Sequence, residues 1–501
     1  MKVLVRLGLI LASSVILSAL PALVQAEDYS YTTNDDNTIN ITGYNGPGGA
    51  LSITNMLNDL PVTSLGEGAF YDCASLTSVT IGDGVTNIGA SAFYFCIGLT
   101  NVAIPANVTA IGEGAFASCP SLTAIMVNES NAVFSSLDGV LFNQNQTTLI
   151  RCPEGRAGSY AIPNGATGIL AFAFSDCAIL TNLTIPASAT GIGDGEFSSC
   201  RGLTAIMVNE SNSVFSSLDG VLFNKSRTTL IRYPAGKTGR YIIPGGVASI
   251  GQESFVICTN LTGITIPASV SSIGQQAFYS CSSLTNIAIP NNVNSIGDRA
   301  FVWCIGLTSL TFGNSLTSLG NGAFMWCVSL TSVELPNSLV NLGSGAFENC
   351  LSLVSLTFGD GVTNIGSQAF YYCPNLTEAY FEGNAPGLGA PDVFAYTPDV
   401  IVYYLPGTTN WVSSFAGRPT MLWNPHMQND ATFGVQANQF GFTIAGTSNL
   451  TVVAESCTNL LNPVWFPVGT NTLAGGSSYF GDPLWTNYPV RFYRIHSPFA
   501  P

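Results

Sequence analysis

Charge is scarce in this chain. Only 9% of its 501 residues are charged, and 14 Lys and Arg against 29 Asp and Glu leave a net charge of −15. Nucleic acid is thereby excluded as a partner, because phosphate binding needs clustered cations. There are two histidines, His426 and His496, well separated within the C-terminal tail and with no nucleophile motif beside either. No C-x-x-C pair is present to build a zinc site, and no D-x-D-x-D loop to build a calcium site. No metal, cofactor or catalytic residue is therefore expected. After residue 26 no apolar run is long enough to span a bilayer. Hydrophobic residues make up 47% of the chain, enough for a core, so a disordered acidic chain is excluded as well.

The first 26 residues read as a signal peptide. Lys2 and Arg6 form a positive start, Leu7–Leu20 an apolar stretch, and Val24-Gln25-Ala26 a small-residue cleavage site. The mature chain is expected to be exported, secreted or held at the cell surface, with no transmembrane segment.

What dominates the rest is one pattern. LGEGAFYDCASLTSVTIGDGVT (65–86) returns with small changes as far as Glu378, usually at a step of 23, as from Phe70 to Phe93 to Phe116. Its phenylalanine falls at Phe70, Phe93, Phe116, Phe174, Phe197, Phe255, Phe278, Phe301, Phe324, Phe347 and Phe370, each followed three residues later by Cys and six later by Leu. A period in this range predicts a repeat solenoid, in which no coil can bury its apolar face alone. Within each coil, L-T-x-V-x-I alternates as a short strand, V-T-x-I as a second extended piece, and G-x-x-A-F-x-x-C as one helical or 3₁₀ turn. A glycine stands four residues before ten of the eleven phenylalanines, Leu170 being the exception. It implies positive φ or a close backbone approach.

Two coils are longer than the others by about half a repeat. The insertions lie at 133–153 and 214–234, where GVLFN and TTLIR flank a polar turn and predict β-hairpins. Residues 124–153 match 205–234 at 25 of 30 positions, a mark of internal duplication. The expected domain order is a signal peptide at 1–26, an N-terminal cap at 27–62 and the solenoid at 63–377. A C-terminal cap at 378–423 follows, in which Trp411 and Phe415 cover the core end. Five strand-like runs then predict a small β-sandwich at 424–501.

The repeat L-x-x-V-x-I-P-x-x-V-T-x-I-G-x-x-A-F-x-x-C resembles the BspA-like, Treponema-type leucine-rich repeat over residues of about 63–423. DGVLFN…TTLIRYP…GKTGRYIIP (219–244) resembles a recurrent feature of the same proteins. The resemblance implies an exported, non-enzymatic protein acting in adhesion or protein binding, and it supplies no catalytic constellation to carry over.

Eleven cysteines share one repeat position, which raises a disulfide ladder or a soft-metal array. Stacked coils place equivalent Cβ atoms about 4.7–5 Å apart with parallel vectors, wider than the ~3.8 Å a disulfide prefers, so buried free thiols are expected. Cys152 and Cys457 stand outside the repeat; a bond between them and a Cys457–His496 catalytic pair are the sharper alternatives to ordinary core residues. The expected binding face is the outward strand column: Ser78, Thr80, Asn101, Asn182, Thr184, Asn286, Ser309, Thr311, Ser332 and Glu334, with Trp303 and Trp326 at nearby turns. This neutral hydroxyl and amide surface suits a protein or glycan ligand, or serves only to keep the protein soluble. The alternative function is carbohydrate binding on a platform of Trp465, Tyr479 and Trp485.

Overall fold

The structure is a computed structural model that describes residues 25–496 except 194, 196 and 462. The signal-peptide reading falls almost wholly outside the described residues. Among those described, no helix is long and apolar enough to cross a membrane. The chain divides into two compact units, residues 1–156 and 157–501, and each is built on a β-solenoid.

The first unit opens with Tyr29–Thr33 antiparallel to Ile39–Tyr44, which pairs in parallel with Leu60–Leu65. The sequence then produces two columns. Gly49–Ser52, Leu76–Thr80, Asn101–Ile104 and Ala124–Val127 stack in parallel register, and so do Leu60–Leu65, Asn87–Ile88 and Ala110–Ile111. Val79, Val102 and Ile125 turn inward and are at most 1% exposed. Tyr29 and Tyr44 lie over Phe70, with successive ring centroids 5.3 and 5.4 Å apart, and so close the first aromatic layer.

The second unit repeats both columns at greater length. Its two-residue strands run from Ser249–Ile250 to Gly387–Leu388 in a single parallel stack, and its inner strands culminate in Ser332–Leu335, Ser355–Phe358, Glu378–Phe381, Ile401–Tyr404 and Arg418–Leu422. Phe255, Phe278, Phe301, Phe324, Phe347 and Phe370 form one stack of rings, with centroids 4.7–5.5 Å apart. Phe394 continues it 5.7 Å beyond Phe370. The column therefore runs one copy further than the Phe–Cys spacing reveals, because Thr397 stands where the cysteine would be.

The cysteines are part of this stacking. All thirteen are free thiols. In eight coils the Sγ–H donates to the carbonyl of the previous coil's phenylalanine, from 2.9 Å at Cys200→Phe174 to 3.4 Å at Cys350→Phe324. Thr397 does the same, its Oγ1 donating to the Phe370 carbonyl at 3.0 Å. A small apolar residue with one weak donor fits this place, which explains the residue type without a bond between sulfurs. Burial pushes the Cys304 and Cys373 thiols up to about 12. Native protein at pH 8 is thus expected to react with a thiol-specific disulfide reagent at no more than one site, the half-buried Cys73, and at thirteen in denaturant. Rapid labelling of several native thiols would contradict the buried column.

The G-x-x-A-F-x-x-C segments form single turns closed by i→i−3 bonds, such as Ala69 N–H to Gly66 O and Cys73 N–H to Phe70 O, both 3.3 Å. They do not propagate into a helix because the residues two before and two after the phenylalanine take positive φ, as at Gly322 (60°) and Trp326 (62°) around Phe324. The recurrent glycine does not. It is required by close approach: a Cβ on Gly343 would sit 2.5 Å from the Gly320 carbonyl group.

Each insertion is a three-stranded antiparallel meander, Phe134–Leu137, Val140–Asn143 and Thr148–Arg151 in the first copy and Phe215–Leu218, Val221–Asn224 and Thr229–Arg232 in the second. Asp138-Gly139 and Asp219-Gly220 have φ of 50–77° at both positions, the two-residue turn that matches strand twist. Asn131 and Asn212 fasten the insertions. Asn212, wholly buried, donates to the carbonyls of Pro186 and Ala189 in the preceding coil and accepts from the N–H groups of Val214 and Phe215, at 2.7–2.9 Å.

Residues 424–496 form two small antiparallel sheets, one around Gln439–Ala445 and Ser477–Asp482, the other around Thr451–Cys457, Phe466–Thr472 and Phe492–His496. Phe442, Ile444, Leu450, Val452, Leu473 and Phe480 fill the space between them.

Candidate functional site

Alternation along each inner strand buries one side chain and turns the next outward. In the second unit this leaves Asn286, Ser309, Thr311, Ser332 and Glu334 exposed in consecutive parallel strands, with Asn286 opposite Ser309, and Ser332 opposite Ser355. Asn182 is half-buried and Thr184 exposed on Leu180–Ile185. In the first unit Thr80 is exposed, while Ser78 and Asn101 face one another half-buried. Trp303 and Trp326 lie on the turn edge instead of the strand face. Their rings stack at 4.9 Å and 3°, and both residues have φ of 62°, an uncommon conformation for so bulky a side chain.

Beyond Glu334 the face changes. Thr357, Tyr380 and Tyr403 occupy the outward position of the next three strands, and each is 6% exposed. The two tyrosines stack at 4.9 Å and belong to the same apolar cluster as Phe442, Val452 and Phe480 of the terminal sandwich. Trp423 meets Tyr380 edge-on at 6.5 Å. The sandwich therefore roofs the last rungs of the strand face.

Two hollows adjoin at that roof. One, of about 600 Å³, runs over Thr311, Asn314, Glu334 and Asn337 to Thr357 and Glu382. The other, of about 240 Å³, shares Thr357 and Glu382 and is walled by Tyr380, Tyr403, Trp423 and His496. Burial, and then the Glu382 carboxylate, raises the pKa of Glu334; burial, and then Asp360, raises that of Glu382. The face is thus not uniformly neutral: its C-terminal end is acidic and favours a positively charged visitor. Sequence reasoning found Glu334 but missed Tyr380, Tyr403 and Glu382. The available signal was two large aromatics one repeat apart at a position that other coils fill with Thr, Ala, Met, Ile or Glu.

The tail residues are dispersed. Trp465 lies beneath the Arg494 guanidinium at 4.6 Å on one sheet, whereas Tyr479 opposes Thr443 on the other. No ring contact joins Trp465, Tyr479 and Trp485 among the described residues. Cys457 opposes Phe492 and His496 opposes Val453, four rungs apart, and His496 instead meets Glu455 at 3.2 Å. Among the described residues no group of three His, Cys, Asp or Glu side chains could hold a metal ion.

The BspA-type leucine-rich repeat region matches residues 50–155, 155–238, 248–377 and 294–406. A leucine-rich repeat protein from Eubacterium ventriosum is similar in structure, at 26% identity and a TM-score of 0.50, over 72% of this chain and 93% of its own. A leucine-rich cell surface protein from Faecalibacterium prausnitzii is 28% identical with a TM-score of 0.44, over 73% and 96% of the two chains. The pneumococcal vaccine antigen PcpA is 20% identical with a TM-score of 0.45, over 80% and 99%. No curated protein matches the chain. The repeated Phe–Cys coils, their parallel register and the extent of the match lead to one conclusion: this chain belongs to the BspA-type leucine-rich repeat family.

Proposed function

We propose that this is an exported, non-enzymatic protein whose inner strand face binds another protein at the cell surface or outside the cell. The observation that carries the reading is the ordered outward column from Asn286 to Glu334, which ends in the acidic hollow beside the roof. Stacked strands hold these short side chains in place, so their hydroxyl and amide groups lose little freedom on binding. A partner presenting Lys or Arg would meet Glu334 and Glu382 while its polar surface paired with Ser309, Thr311 and Ser332.

The test is binding of the mature chain to a panel of immobilised extracellular-matrix and cell-surface proteins, alongside a Thr311→Arg/Ser332→Arg variant. These exposed substitutions should leave folding intact and weaken the interaction at least ~10-fold, since like charge and bulk at an interface centre cost several kcal/mol. Glu334→Gln/Glu382→Gln should flatten its salt dependence. Equal binding by the Arg variant would remove the strand face from the reading.

A further inference from the structure

The cations of this acidic chain are not spread evenly. Residues 205–240 carry five Lys and Arg against two acidic residues, whereas their duplicate, 124–159, carries two against three. Lys225, Arg227 and Arg240 stand where the first copy has Gln144, Gln146 and Ser159, while Lys237 matches Arg156. Three of these cations are held along one stretch of backbone. The Lys225 ammonium donates to the carbonyls of Glu210, at 3.0 Å, and Asn212; Arg227 donates to that of Ser217 at 3.4 Å, and Lys237 to that of Asp219 at 2.9 Å. Lys225 and Arg227 are exposed and Lys237 is half-buried. An ammonium has three donors and a guanidinium five, so each has donors beyond these bonds. From the Asn212 carbonyl to that of Asp219 the chain can extend no more than ~25 Å, which bounds the row. The segment around it is polar: Ser211, Ser213, Ser226 and Thr228 are exposed, and no large apolar side chain between Met207 and Ile242 is.

We infer that the row Lys225–Arg227–Lys237 on the second insertion binds an acidic polysaccharide. This site is separate from the strand face and does not depend on it. Cations held by the backbone lose little freedom on pairing with carboxylate or sulfate groups, and the guanidinium fork fits either anion. The exposed serines and threonine can pair with sugar hydroxyls. The lack of exposed apolar groups decides against other polyanions. A protein interface is anchored by aromatic and apolar side chains at its centre, a peripheral membrane contact by apolar groups in the bilayer, and single-stranded nucleic acid by stacking on aromatic rings. Duplex DNA carries one charge per ~1.7 Å, so the chain's net charge of −15 repels it more strongly than a polymer with one charge per sugar unit or two.

The experiment measures binding of the mature chain to immobilised heparin, which carries sulfate and carboxylate, and to polygalacturonate, which carries carboxylate alone. Dextran is the neutral control and duplex DNA the competing polyanion. Saturable binding to at least one acidic polymer, falling with salt, is the expected result, and the tighter of the two identifies the anion. Lys225→Gln/Arg227→Gln installs the residues of the first copy. It should keep the melting temperature, weaken binding at least ~10-fold and lower the slope of log K against log salt by ~1–2. Gln144→Lys/Gln146→Arg builds a second row beside Arg156 and should raise the capacity toward two sites per chain. Binding no better than to dextran, equal affinity for duplex DNA, full binding by Lys225→Gln/Arg227→Gln, or unchanged capacity in Gln144→Lys/Gln146→Arg would overturn the inference.

Discussion

Replacing Phe301 by alanine is expected to cost about 3–5 kcal/mol, the range for deleting a buried aromatic side chain. Phe301 is fully buried, with Phe278 on one side at 4.9 Å and Phe324 on the other at 4.8 Å, and the rings within 5° of parallel. Its removal opens a void between two layers that cannot close up, because the backbones of adjacent coils are already held by paired strands and by Cys327 donating to the Phe301 carbonyl. Alanine also forfeits two ring–ring contacts, each about 0.5–1.5 kcal/mol beyond its area. Urea unfolding followed by circular dichroism measures the change. In a stack of nearest-neighbour contacts the loss should also split the transition, since the coils on either side of the gap become less coupled. A loss under about 1 kcal/mol, with one unbroken transition, would show that the ring column does not carry the core.

Asn212→Ala is the second large effect, about 3–4 kcal/mol. The mutation removes few apolar contacts but strands four backbone groups at once: the carbonyls of Pro186 and Ala189 and the N–H groups of Val214 and Phe215. Each buried group left unpaired costs about 1–3 kcal/mol, though the four are not additive because the loop can relax. Asn212→Asp separates the two halves of the role. Aspartate keeps the acceptor for Val214 and Phe215 but loses both donors and buries a charge, so it should be at least as damaging as alanine. Hydrogen exchange reads this directly: the Val214 and Phe215 amides should lose protection in the alanine variant and retain more of it in the aspartate variant. Undiminished protection of both amides in the alanine variant would mean the asparagine does not fasten the insertion.

The coil was legible because its physics repeats. Phe, Cys and Leu at fixed offsets announce an inward face, and the alternation in LTSVTI announces a strand; both appear where the spacing puts them. What the spacing could not convey was which property each invariant residue serves. The glycine before the turn suggested either positive φ or crowding, and only the 2.5 Å approach at Gly343 decides for crowding. The cysteine suggested sulfur chemistry, but in eight coils its Sγ–H ends on the previous phenylalanine's carbonyl, and Thr397 reads as the same device in another residue. The strand face was legible as a column of outward residues but not as a surface with a boundary. That boundary depends on the sandwich folding back over Tyr380 and Tyr403, a contact between segments distant in sequence, which no local pattern encodes.

The roof over Tyr380 and Tyr403 has a consequence for how the coil stack stops. A parallel stack ends in a strand whose unpaired N–H and C=O groups can recruit another chain. Here the last inner strand, Arg418–Leu422, contains Pro419, which has no N–H to offer, and folds against its own neighbour Ser414–Phe415 in antiparallel sense. With the sandwich seated on the adjoining rungs, the growing end of the stack is blunted twice. That end of the stack therefore offers a second chain few free backbone groups on which to template fibrous self-association.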